Sequence, residues 1–119
     1  MIKTTRLQNG ITVVSEALDF VKSVSIGIWI KNGSVDENPE NNGISHFIEH
    51  MMFKGSLKRD AKEIAEEMAR IGGRINAFTA KEYTCYYAHT LDEHLHIAVD
   101  VLSDMLCHPA LKDEEIEKE

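Results

Sequence analysis

Ten residues, Ile44 to Phe53, constrain the fold of this chain more than any other segment. Placed on a helix at about 100° per residue, Ile44, Phe47, Ile48, Met51 and Met52 gather on one arc, while His46, Glu49 and His50 fall on the opposite side. A helix divided in this way must lay its apolar side against other secondary structure and keep its polar side open. Two imidazoles one turn apart can grip a single tetrahedral ion, and Glu49 beside them can take a proton from water. That is the minimum equipment for metal-assisted hydrolysis. A surface helix with two solvated histidines satisfies the same five letters, His46-Phe47-Ile48-Glu49-His50, so the pattern needs context.

The rest of the chain predicts a partner for the apolar side. Residues 2–8 and 11–17 read as strands flanking Asn9-Gly10, a dipeptide suited to the positive φ angles of a tight hairpin turn. Val24, Ile26, Ile28 and Ile30 alternate along a third strand whose other face is also small or apolar, which predicts a central position. Polar residues 32–43 predict a loop. The first helix is expected from about Ile44 to Lys54, stopping near Gly55. A second follows over about 60–71, with Asp60 as N-cap, Glu63 completing a capping box and Gly72-Gly73 as terminator. Strands are expected over about 73–80 and 83–90, where Tyr83, Tyr86 and Tyr87 serve sheet packing. A third helix over about 91–107 should bury Leu91, Leu95, Ala98, Leu102 and Met105, and a fourth begins at Asp113. The fold class is α+β, a mostly antiparallel sheet packed on one side by helices. The chain stops within the pattern of the fourth helix, which reads as a cut through an element.

Composition narrows the function classes. With 13 Lys and Arg against 20 Asp and Glu, the formal charge is -7. Lys58-Arg59 is the only adjacent basic pair, so neither nucleic acid nor an anionic membrane is an expected partner. Cys85 and Cys107 lie far apart, in no metal or redox spacing, and are expected to be reduced, buried and structural. No secretory signal begins the chain and no stretch is long enough to span a bilayer, so a cytoplasmic protein is expected. His89, His94, His96 and His108 lack spacing partners and read as surface or satisfied histidines.

The run from Asn42 through His46-Phe47-Ile48-Glu49-His50 to Gly55 resembles the active-site helix of the pitrilysin and mitochondrial processing peptidase family. The resemblance continues through Ile71–Thr79 and Glu82–Tyr87 and covers essentially the whole chain, with bacterial processing-peptidase-like members the nearest in character. It implies that His46 and His50 are ligands of zinc and that Glu49 is the general base of a metalloendopeptidase. It also implies that Asn76, Ala77, Phe78 and Thr79 form a substrate-binding edge strand, to which an extended peptide or unfolded polypeptide adds through main-chain hydrogen bonds.

One departure follows from the same resemblance. A catalytic zinc site takes three protein ligands, and the family's third, a glutamate about 76 residues after the second histidine, would fall near position 126, beyond the last residue. A second family glutamate, about seven residues earlier, would be Glu119, a supporting carboxylate. The expectation is therefore an N-terminal portion of one zinc-metallopeptidase domain, inactive by itself and prone to homo-oligomerise through uncovered apolar surface. The rival expectation is a non-catalytic structural or binding subunit of the same family. Loss of a histidine or the glutamate would mark such a subunit, and all three residues are present.

Overall fold

The computed structural model describes residues 2–118. Strands β1 (Ile2–Arg6) and β2 (Thr12–Glu16) pair antiparallel as a two-stranded sheet of their own. The turn between them differs from the expected two-residue form. Arg6 pairs with Thr12, the Leu7 N–H donates to the Ile11 carbonyl at 2.8 Å, and the Gly10 N–H donates to the Leu7 carbonyl at 3.0 Å. Of the loop residues only Gly10 has a positive φ, 94°, so the connection is a three-residue loop closed by a left-handed glycine. Asn9 contributes its side chain instead, accepting from the Ile11 N–H at 3.1 Å.

A second antiparallel sheet comprises β3 (Ser23–Ile30), β4 (Arg74–Thr79) and β5 (Thr84–Leu91) in the order β3-β5-β4. Strand β3, expected to be central, lies at an edge, and β5 holds the centre. Burial shows why. In β3 only Val24, Ile26 and Ile28 are half-buried, whereas Thr84, Cys85, Tyr86, Ala88 and Thr90 of β5 are all buried. The small residues Ser25 and Gly27 gave β3 a two-sided look, but they lie on an exposed face beside Trp29.

Strand register puts Ile28, Tyr86 and Ala77 in one row and Ile26, Ala88 and Ile75 in the next, all on one face. Helices α1 (Ile44–Met52), α2 (Ala61–Arg70) and α3 (Leu95–Cys107) supply the rest of the molecule's core, and a short α4 (Asp113–Lys118) follows. The core joins Ile64, Met68 and Ile71 to Tyr86 and Ala88, and to Ala98, Val101, Leu102 and Met105. Leu91, expected in the third helix's apolar stripe, ends β5 and is exposed, while Leu95 is half-buried. Helical phase starts only after a 3-10 turn over Asp92–His94, so it does not govern residue 91. Val101 completes the stripe in its place. Both cysteines are free thiols. Cys85 is buried as expected, but Cys107, the last residue of α3, is exposed.

Helix α2 begins as its sequence predicts. The Glu63 N–H donates to Asp60 Oδ1 at 2.8 Å and the Asp60 N–H donates to Glu63 Oε1 at 3.4 Å. It ends with the Gly73 N–H on the Met68 carbonyl and the Gly72 N–H on the Ala69 carbonyl, which satisfies carbonyls the helix leaves open. Helix α1 stops at Met52, two residues sooner than expected, capped by Phe53. Among the described residues no helix is long and apolar enough to cross a membrane.

The α1–α2 connection is anchored by an inward-turned arginine. Arg59 donates from Nε to Glu67 at 2.7 Å, from one terminal nitrogen to Asp100 at 2.6 Å, and from the other to Asp104 at 2.8 Å. Ser56 Oγ donates to the same Asp104 oxygen at 2.5 Å. Burial disfavours the guanidinium charge, but the three carboxylates outweigh it and hold Arg59 protonated well above its ordinary range.

Candidate active site

The two-faced helix is positioned by the loop before it. Gly33 lies so close to the β4–β5 turn that an added Cβ would sit 2.3 Å from the Ala80 carbonyl oxygen. The absence of a side chain lets the Ser34 N–H reach the Ala80 carbonyl at 3.1 Å and the Val35 N–H reach the Lys81 carbonyl at 2.8 Å. Glu37 follows, and its carboxylate accepts from the Gly43 N–H and the Ser45 N–H, both at 2.8 Å. These are amides that the start of α1 cannot satisfy internally. Gly43, the N-cap, has φ 90° and no side chain to cap with, so a carboxylate six residues upstream does the work. The two backbone bonds hold the Glu37 carboxyl below its ordinary range. Sequence reasoning missed Glu37, because capping signals are sought at the N-cap itself.

On α1, His46 and His50 are exposed and Glu49 is half-buried between helix and sheet. The two imidazole centroids are 6.1 Å apart, with their planes at 83°. Glu49 accepts a hydrogen bond from the Thr79 hydroxyl on β4. Tyr86 is buried close by, and its phenol is pushed up to about 12, by burial first and by the Glu49 charge second. The opposite arc is less covered than its pattern predicts. Met51 is buried, but Ile44 and Ile48 remain 37% and 38% exposed. Helix α1 packs against β4, and that packing leaves these two residues of the apolar arc exposed.

Strand β4 is an edge strand, with Ile75, Ala77 and Thr79 half-buried and Arg74, Asn76 and Phe78 on the other face. The Ala77 N–H is outside the β4–β5 ladder, since it donates to Asn76 Oδ1 at 2.8 Å. An antiparallel ladder alternates inward and outward amides, and residue 77 faces outward. On the face away from the helices, Phe78 meets Trp29, Tyr83 and Tyr87 with ring centroids 5.9 to 6.1 Å apart. Tyr83 and Tyr87 pack on the sheet, as expected. His89 shares a 2.6 Å hydrogen bond with Ser25 Oγ.

The donor set suits zinc. Two imidazoles on successive turns, both open to solvent, match the ion's preference for nitrogen ligands and four-fold geometry. Among the described residues no cluster of three His, Cys, Asp or Glu forms that could complete the site. Glu119, the expected supporting carboxylate, lies outside the described residues.

Comparison with known proteins agrees with this geometry. Residues 12–119 match the insulinase family, peptidase family M16. The chain is 56% identical over 119 residues to an uncharacterized zinc protease of Bacillus subtilis, covering 100% of this chain and 29% of that protein. It is 46% identical over 118 residues to an uncharacterized zinc protease of Streptomyces coelicolor, covering 99% of this chain and 26% of the relative. Over 117 residues it is 41% identical to a probable mitochondrial-processing peptidase subunit beta of Arabidopsis thaliana, covering 98% of this chain and 22% of the relative. The chain therefore spans less than a third of the length of these relatives. A match over all but the first eleven residues, together with the two-histidine helix set beside an edge strand, means that the chain belongs to the insulinase family of peptidases, M16.

Proposed function

We propose that this chain is the N-terminal portion of a zinc-dependent endopeptidase domain that hydrolyses extended peptides or presequences. The observation that carries the reading is the juxtaposition of His46, Glu49 and His50 with an edge strand that offers an outward amide. His46 and His50 would hold zinc, which when bound would supply Lewis acidity to the scissile carbonyl and the attacking water. Glu49 takes a proton from that water and passes it to the leaving amine nitrogen, the role of a positioned carboxylate. A peptide adds along β4, exchanging the Asn76 side chain for its own carbonyl at the Ala77 N–H. Shape and backbone then select the substrate more than sequence does. Among the described residues no third His, Cys, Asp or Glu joins the two histidines, so on this reading the third ligand lies outside the described residues.

The test is zinc content and peptide hydrolysis by the full-length protein, with Glu49→Gln as control. The variant is expected to bind zinc normally and to lose roughly 100-fold or more of kcat. Full activity in Glu49→Gln would overturn the assignment of the base. Hydrolysis that is indifferent to zinc removal would overturn the reaction class.

A further inference from the structure

Strand β4 brings more to the site than a free edge. Thr79 is its last residue, on the face that meets the helices, opposite Thr84 in the register. Its hydroxyl reaches Glu49 Oε2 on α1, 30 residues away in sequence. The strand end carrying it is held on three sides. Thr84 Oγ1 donates to the Asn32 carbonyl at 2.7 Å, the Ala80 N–H closes the turn on the Tyr83 carbonyl at 2.8 Å, and the Ser34 and Val35 amides grip the carbonyls of Ala80 and Lys81. The donor is therefore mounted on a fixed hairpin. The acceptor is not fixed by its own chain, because the terminal torsion of a glutamate is broad and roughly two-fold.

We propose that Thr79 is a positioning residue for the general base. Its hydroxyl holds Oε2 of Glu49 and leaves Oε1 as the oxygen that takes the proton from water. In that step a water O–H bond breaks and an Oε1–H bond forms, and the proton later moves to the leaving nitrogen. One strand thus performs two separable tasks: the Ala77 amide receives the peptide backbone, and the Thr79 hydroxyl holds the base. This rests on the reading of Glu49 as the base of a zinc peptidase.

The experiment compares Thr79→Val, which keeps shape and removes the hydroxyl, with Thr79→Ser, which keeps the hydroxyl, in the full-length protein. Thr79→Val is expected to lower kcat about 10- to 100-fold with KM within about twofold, in line with losing a hydrogen bond to a charged group. Thr79→Ser is expected to restore kcat to within about threefold of the parent. Two readouts do not depend on turnover. Zinc affinity by chelator competition stays unchanged in both variants. In metal-free protein labelled with carboxyl 13C-glutamate, the resonance identified by its disappearance in Glu49→Gln shifts in Thr79→Val and not in Thr79→Ser. A Val variant with parental kcat, an equal loss in Val and Ser, or an unmoved Glu49 resonance each overturns the proposal. Thr79→Ala serves where the Val variant fails to fold. Retained activity in Glu49→Gln would instead bring down the peptidase reading, while the resonance still reports the contact.

Discussion

Arg59 is the residue on which the α1–α2 connection depends. Its guanidinium is about nine-tenths buried and bound to Glu67, Asp100 and Asp104. Glu67 and Asp100 reach solvent, but Asp104 is buried, and removing Arg59 leaves its charge uncompensated. Arg59→Ala is therefore expected to cost about 3–5 kcal/mol in urea unfolding; a loss below about 1 kcal/mol would place the network among ordinary surface pairs. The same network carries a pH signature. Burial opposes ionisation of Asp104, yet the Ser56 hydroxyl and Arg59 outweigh it and hold the carboxyl below its ordinary range. The folded state thus binds fewer protons than the unfolded one. The stabilisation is present above the unfolded aspartate value of about 3.9 and is lost as pH falls through the lowered folded value. Unfolding midpoints of the parent should drop more steeply than those of Arg59→Met between about pH 5 and pH 3.

At the scale of elements, the proposed chemistry rests on α1 and β4, which pack together. Glu37 holds the first amides of α1 from a loop six residues upstream of Gly43. Glu37→Gln is expected to lower hydrogen-exchange protection at Gly43 and Ser45 while leaving Ile64 and Met68 in α2 unchanged. Because the Glu37 carboxyl is held below its ordinary range, parental protection at these two amides should persist above that range and fall as pH drops through the lowered value. Equal protection in parent and variant would show that the cap does not hold the helix start. In β4, the Ala77 amide lies outside the ladder, and proline is tolerated where an edge N–H faces outward. Ala77→Pro should therefore fold, with Tm lowered by only a few degrees, and raise KM for peptides about tenfold or more in the full-length protein. Phe78→Pro removes a ladder donor and should cost about 3 kcal/mol. A folded Ala77→Pro protein with parental KM would argue against strand addition.

The whole molecule is more extended than its length requires. Its radius of gyration is 15.5 Å, against roughly 13.5 Å for a compact domain of this size. The β1–β2 hairpin is exposed along both strands, and a two-stranded hairpin alone is marginal. Phe20, Leu57, Val35, Ile2, Val14 and Trp29 are all more than 60% exposed, an apolar display that favours association. Residues 1–119 on their own are expected to self-associate in sedimentation at micromolar concentration. On the proposed zinc-peptidase reading they should also cleave peptides no faster than zinc in buffer, because among the described residues no third His, Cys, Asp or Glu joins His46 and His50, and a catalytic site takes three ligands. Robust zinc-dependent cleavage by this chain alone would refute the incomplete-site reading.

Local codes in the sequence determined much of this protein. The capping box at Asp60 and Glu63, the glycine stop after α2 and the alternation of β4 all act within a few residues, so they were legible before any tertiary contact existed. The placement of His46, Glu49 and His50 on one helix face belongs to this group. Tertiary structure decided what depends on distant partners. Whether β3 or β5 took the sheet centre turned on which strand found neighbours on both edges, a matter of chain topology and not of its own pattern. Glu37 as the cap of α1, Arg59 as a buried hub and Thr79 as the partner of Glu49 each join residues that lie near one another only after folding. A side chain's hydrogen-bond partner across 30 residues leaves no periodicity to read.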